Sequence, residues 1–223
     1  MTRSAAVLLC GCLLGTAPDG PADDGPTYVN LQPRSNESLD ANLGRGAAGN
    51  NLSELPRGER AFNGVKFKIE DRFIQLGSPL LRKKRPDKVE GIEVSGAFAR
   101  LRILQGTFYG KGEKGGPLHV PDGTLIGRYV VHYEGGSTEE IPVVYGDDVR
   151  DWWITRGAGG VSRGEVAWEG DNACAKANGH RLRLYLGTWD NPKPSQRVTR
   201  IDFEKGSDTP AAPFCIALTL EPE

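Results

Sequence analysis

The chain has 223 residues, enough for one sizeable domain plus a targeting segment, and all-β sandwiches of this length commonly form one unit. Thirty Gly and fifteen Pro with a single Met point to many turns and little helix. With 28 basic against 29 acidic residues the net charge is −1, which excludes a long-range attraction to nucleic acid or to an anionic membrane surface.

Residues 1–17 read as an export signal. Arg3 precedes an apolar run from Ala5 to Leu9 that continues through Cys10, Gly11, Cys12, Leu13 and Leu14, too short to span a bilayer. Two cleavage patterns compete. Leu9-Cys10-Gly11-Cys12 looks like a bacterial lipobox with Cys12 as the lipidated residue, although Cys at its second position is atypical. Gly15-Thr16-Ala17 instead offers small residues to an ordinary signal peptidase. Either route exports the chain to the periplasm, the cell surface or the medium, with membrane contact only through a lipid on Cys12. Processing leaves Cys174 and Cys215 in the body; an oxidising compartment permits them to pair, and two separate buried thiols are the alternative.

Residues 18–27 form a Pro- and Gly-rich linker, and a single domain follows over 28–223. Tyr28 to Leu31 reads as a short strand, and Gln32 to Glu54, rich in Asn, Ser and Gly, as a long loop packed over one end of the domain. Asn63-Gly64 is the strongest hairpin signal, followed by Val65, Phe67 and Ile69 alternating with Lys66 and Lys68. Phe73 to Leu76 is the next strand. Arg82-Lys83-Lys84-Arg85, between Pro79 and Pro86, reads as a solvated loop, with a phosphate-binding patch as the sharper alternative. Strands are expected over Val89–Val94 and Phe98–Phe108. The glycine-rich Gly106 to Gly116 is not a phosphate loop, since no Gly-Lys-Ser/Thr follows it.

Gly135-Gly136 separates the strands Ile126–Glu134 and Thr138–Tyr145 as a second hairpin. The stretch Ile141 to Trp153 then looks like the element around which the rest is organised. It runs from a strand through Gly146 into the charged turn Asp147, Asp148, Arg150 and Asp151, and ends on Trp152 and Trp153. In an extended segment adjacent tryptophans point to opposite sides, so one buried face cannot take both. Later strands are Glu165–Trp168, Arg181–Trp189, Val198–Phe203 and Phe214–Leu220. In the third-last of these Leu182, Leu184 and Leu186 oppose Arg181, Arg183, Tyr185 and Trp189. In the last, Phe214, Ile216, Leu218 and Leu220 all face inward. No eleven-residue window carries a helical period, so the expected fold is all-β, a two-sheet antiparallel β-sandwich.

Three stretches resemble a known family. Leu55-Pro56-Arg57-Gly58 running to Phe62-Asn63-Gly64-Val65-Lys66-Phe67-Lys68-Ile69 resembles the LPxGxxxFxGVxFxI opening of bacterial secreted galactose-binding-like β-sandwich domains. Tyr133 to Trp153 resembles their central hairpin and following loop, and Asn191-Pro192-Lys193-Pro194 leading into Val198–Phe203 resembles their NPxPxxxVxxIxF strand entry. The resemblance implies a jelly-roll fold over Tyr28 to Leu220. Related domains commonly serve as carbohydrate-binding modules, so it makes carbohydrate the expected partner, and it carries over no ligand residue.

The chemistry read from the residues is non-catalytic. Gly-x-Ser-x-Gly, His-Glu-x-x-His and Cys-x-x-Cys are all missing, and His119, His132 and His180 do not stand at ligand spacing. No cofactor and no metal site are expected; a structural calcium held by loop oxygens is the alternative. The charged turn beside two aromatics suits a planar polar ligand such as a sugar ring. The candidate ligand residues are Tyr145, Asp147, Arg150, Asp151, Trp152 and Trp153, with Trp189 and Asn191 as a weaker second group. The competing reading is a structural or protein-interaction domain with the same aromatics in its core.

Overall fold

The computed structural model describes Met1 and residues 25–110, 118–155, 157–206 and 208–222; Cys12, the leader's apolar run and residues 18–24 of the linker lie outside them. The first half of the domain supplies β1 (Thr27–Tyr28), β2 (Glu37–Ser38), β3 (Gly58–Phe62), β4 (Val65–Ile69), β5 (Arg72–Gln75), β6 (Lys88–Gly96) and β7 (Arg100–Phe108). The second half supplies β8 (Leu125–Tyr133), β9 (Thr138–Val144), β10 (Trp153–Ile154), β11 (Glu165–Gly170), the short α-helix α1 (Ala173–Ala177), β12 (Arg181–Asp190), β13 (Val198–Lys205) and β14 (Ala212–Glu221).

The strands build an antiparallel sandwich. An eight-stranded sheet runs β10-β12-β7-β14-β5-β2, with β1 also on β14 and β11 also on β12. A four-stranded sheet, β6-β13-β8-β9, covers one of its faces. The β3–β4 hairpin forms a third layer on the other face, a departure from the simple two-sheet expectation. Its turn needs two consecutive left-handed residues, and Asn63 (φ 49°) with Gly64 (φ 78°) provides them at low cost. The alternation on β4 appears as expected: Val65, Phe67 and Ile69 are buried and both lysines exposed.

The large sheet therefore has a core on each side. Between the sheets, Leu101 and Ile103 of β7 and Leu218 and Leu220 of β14 meet Ile92, Tyr129, Val131, Val143, Ile201 and Phe203 from the smaller sheet. Tyr129 stacks on Phe203 with centroids 4.4 Å apart. On the opposite face Leu104, Phe108, Phe214, Ile216 and the leucines 182, 184 and 186 meet Phe67 and Ile69 of the hairpin. Leu39, Leu43, Leu52 and Leu55 complete that second core. The segment from Gln32 to Glu54, expected as loop throughout, contains β2, and its leucines cover part of this sheet face beside the hairpin rather than one end of the domain.

The last strand departs from expectation in an informative way. Its partners on β7 slip one residue between Cys215 and Ala217, a β-bulge. Phe214 and Ile216 consequently point to the hairpin side while Leu218 and Leu220 point between the sheets. One strand serves both cores, every residue from Ala212 to Leu220 is buried, and each large apolar side chain there contributes roughly 1.5–3 kcal/mol. This strand, and not Ile141–Trp153, is the centre of the molecule.

Alternation along β14 decides the cysteine question. Cys215 faces the inter-sheet core, whereas Cys174 sits on α1 beside the second core, so the thiols are on opposite faces of one sheet and both are free. Burial pushes the Cys215 thiol up to about 12.

Candidate functional site

After β9 the chain turns at Gly146 and its acidic residues are spent on holding the turn. Asp148 is buried; its Oδ2 accepts the Val144 N–H at 2.7 Å, and its two oxygens accept Nε and Nη2 of Arg163, each at 2.6 Å. Asp147 Oδ1 accepts the Ser162 hydroxyl at 2.7 Å. Asp147 is therefore a turn residue with its carboxylate engaged, and its place in the expected ligand set has a structural explanation instead.

The next residues open onto a cleft. Arg150 grips Asp122 with a two-pronged contact of 2.8 and 2.7 Å and donates Nε to the Gly160 carbonyl. The Arg150 guanidinium beside it holds the Asp122 carboxyl below its ordinary value. Arg150 lies 5.6 Å from the Tyr145 ring centroid. Tyr145 is 5% exposed and burial raises its hydroxyl pKa, so it forms a wall rather than a reaching group. The close approach of Tyr145 requires glycine at position 110, where a Cβ would stand 2.1 Å from the ring. Asp151 accepts the Trp153 N–H on one oxygen at 2.9 Å and the Gly110 N–H on the other at 3.0 Å, tying the turn to the end of β7.

The two tryptophans separate as their opposite orientations demand. Trp152 is 3% exposed, packed edge-to-face on Phe108 with centroids 4.7 Å apart and flanked by Phe214 at 6.4 Å. It is packed as a core residue and, unlike Trp153, borders only the apolar cleft described next. Trp153 is half-buried, donates its indole N–H to Asn50 Oδ1 at 3.2 Å and lies 5.3 Å from the His180 ring.

Trp153 and Asp151 stand between two clefts and line both. One, of about 170 Å³, is polar and is walled by His119, Asp122, Tyr145, Arg150 and Arg183. The other, of about 330 Å³, is mainly apolar and is walled by Phe108, Tyr109, Leu118, Trp152 and Asn50. Arg183 of β12 enters from the neighbouring strand. It is 6% exposed, donates Nε to the Asp151 carbonyl and Nη1 to the Gly159 carbonyl, each at 3.2 Å, and sits 5.3 Å from the Tyr185 ring. No carboxylate among the described residues is paired with it.

The second expected group does not join this site. Trp189 packs edge-to-face on Phe98 and lines a separate recess with Ile103 and Gln105. Asn191 is buried and fully used: it accepts from the Tyr133 hydroxyl at 2.5 Å and the Lys193 N–H at 2.9 Å, and it donates to the Phe98 carbonyl at 2.8 Å. These bonds make it a bracket between the ends of neighbouring strands. Of the residues that line the clefts, Arg183, Asp122, His119, Tyr109 and Asn50 were not expected. Arg183 alone had a signal, a charge on the Tyr185 face of a strand whose other face is all leucine.

His132 Nε2 lies 2.9 Å from Asp202 Oδ2, and no three His, Cys, Asp or Glu among the described residues are placed to hold a metal ion. No helix of the described residues is long and apolar enough to cross a membrane. Fold and site together define an antiparallel β-sandwich with a groove built from loops at the edge of its larger sheet. No protein-family model, curated protein or solved structure matches the chain.

Proposed function

We propose that this is a non-catalytic carbohydrate-binding domain of the galactose-binding-like, jelly-roll kind, carried on an exported bacterial protein. The observation that supports it is the position of Trp153, an accessible aromatic between a polar cleft holding two arginines and an apolar cleft. Sugar rings offer C–H faces to an aromatic and hydroxyls to charged forks, and this groove supplies both within one loop system. Tyr145, Arg150, Asp151, Trp153 and Arg183 are the residues assigned to the site. The leader reading belongs to the same proposal, with removal at Cys12 as the lipoprotein form; mass spectrometry of the mature N-terminus checks it, and an intact Met1 after expression in an exporting host counts against it.

A glycan array probed with the purified chain tests the binding itself. Trp153→Ala should weaken capture by roughly 1–3 kcal/mol, about 5- to 150-fold, with the unfolding midpoint little changed. One alternative has its own support: the burial of Trp152 and the engagement of Asp147 and Asp148 suit a structural or protein-interaction domain. An array with no glycan above background, or equal capture by wild type and Trp153→Ala, gives that reading the field.

A further inference from the structure

A separate cavity lies where the loop after β2 meets the loop after β5. Its volume is about 410 Å³, and its walls include Glu37, Asn42, Gln75, Arg82 and Lys83. It shares only Gly44 with the clefts around Trp153. The basic run read from the sequence as a solvated loop supplies two of those walls. The Arg82 backbone N–H donates to the Gly44 carbonyl at 3.2 Å, which fixes the basic loop over the opening.

The hydrogen-bonding groups around this cavity are unbalanced in one direction. Glu37 is buried, but its carboxylate is already matched by the Arg85 guanidinium and by the Ser38 N–H at 3.1 Å. Gln75 is 1% exposed, and its amide nitrogen has no acceptor among the described residues. The Nε of Arg85, next to Glu37, is likewise buried without an acceptor. Arg82 and Lys83 are exposed and form no ion pair among the described residues. The buried side-chain atoms left unmatched here are donors, and the two exposed residues without ion pairs are cations. Buried donors without partners are uncommon because each forfeits the hydrogen bond it had in water. A single species that supplies several acceptor oxygens and negative charge would serve the three that line the cavity, Gln75, Arg82 and Lys83.

We propose that this cavity binds a tetrahedral oxyanion carried on a small polar molecule, a phosphate or sulfate ester. The tetrahedral group presents oxygens in several directions at once, as donors from a loop and a strand require, and guanidinium and amide groups are suited to it. The cavity exceeds the space of a few waters at about 30 Å³ each, which leaves room for the rest of the molecule. The site stands whether or not the groove at Trp153 binds sugar.

Isothermal titration of the full chain tests it, with inorganic phosphate, inorganic sulfate, a hexose 6-phosphate and a hexose 6-sulfate as probes, and chloride and acetate controls at matched ionic strength. The expected result is saturable binding of at least one ester, tighter than its inorganic anion, with phosphate and sulfate arms separating the two sources. Arg82→Ser with Lys83→Ser should weaken binding at least about tenfold, the loss of charge-assisted hydrogen bonds, and Gln75→Leu about fivefold. Gln75→Leu should also leave the free protein as stable as wild type or more so, because it removes an unmatched buried donor. Binding no stronger than chloride or acetate overturns the proposal, as does unchanged affinity in the double surface variant, which decides alone should Gln75→Leu fail to fold.

Discussion

The two faces of the large sheet are covered by different means, and two of the concavities described above follow from the difference. The inner face meets four regular strands, so its core is continuous from Leu31 to Leu220. The outer face meets a hairpin, a short helix and the segment from Gln32 to Glu54, which reach the sheet through scattered leucines. Strands pack edge to edge and leave little between them, whereas loops carry polar backbone that has to be kept near water. Both the apolar cleft beside Trp153 and the donor-rich cavity beside Gln75 lie under this irregular cover. The regular face is closed by strand packing, and the irregular face leaves these two cavities open.

Core truncation should break the comparison most severely. Phe214→Ala on the hairpin side should cost about 3–5 kcal/mol and Leu218→Ala on the inner side about 2–5 kcal/mol, both read from denaturant midpoints. Both residues are essentially fully buried, at 0% and 1% exposure, so a midpoint unchanged from wild type in either variant would refute the two-core role of β14. The paired tryptophans sharpen the same contrast within two adjacent residues. Trp152→Ala should destabilise by about 3–5 kcal/mol and Trp153→Ala by far less, so equal midpoints would erase the distinction drawn between them.

A smaller effect belongs to the outer surface of the four-stranded sheet. Lys88, with Arg128, holds the Glu204 carboxyl below its ordinary 4.5. A lowered folded-state value means the stabilisation is present above the unfolded value and is lost as pH falls through the folded one. Stability should thus decline below about pH 4.5, and Glu204→Gln should flatten that decline; an identical pH profile in the variant would show that other groups control it. The smallest effect is chemical. A thiol reagent at pH 8 should modify Cys174 well before Cys215, as peptide mapping would show, because the buried thiol is both inaccessible and hardly ionised. Equal labelling would mean the inner core opens readily.

Much of the regular architecture was legible in the residues. The alternation on β4 and β12, together with Asn63-Gly64, implied strands and a hairpin because each has one clearly apolar face. The phase of β14 was not legible: both faces are apolar, so a one-residue slip leaves no mark in the pattern. The site was half legible. Asp147 to Trp153 marked a turn that borders two clefts, but Asp122, Arg150 and Arg183 converge from three segments that sequence spacing cannot join. Asn191 was ambiguous for a related reason, since a loop asparagine that binds ligand and one that brackets a strand end look alike until the partners are seen.

The bulge in β14 has a consequence for how the domain comes into being. This strand pairs with β1, β5 and β7, whose residues precede it by more than a hundred positions, and it contributes to both cores at once. Until it is synthesised, neither face of the large sheet can be finished, and β5 and β7 lack a shared neighbour. The growing chain must remain open, with apolar strand edges uncovered, until its final strand emerges. Completion is then one all-or-none event that closes both layers together.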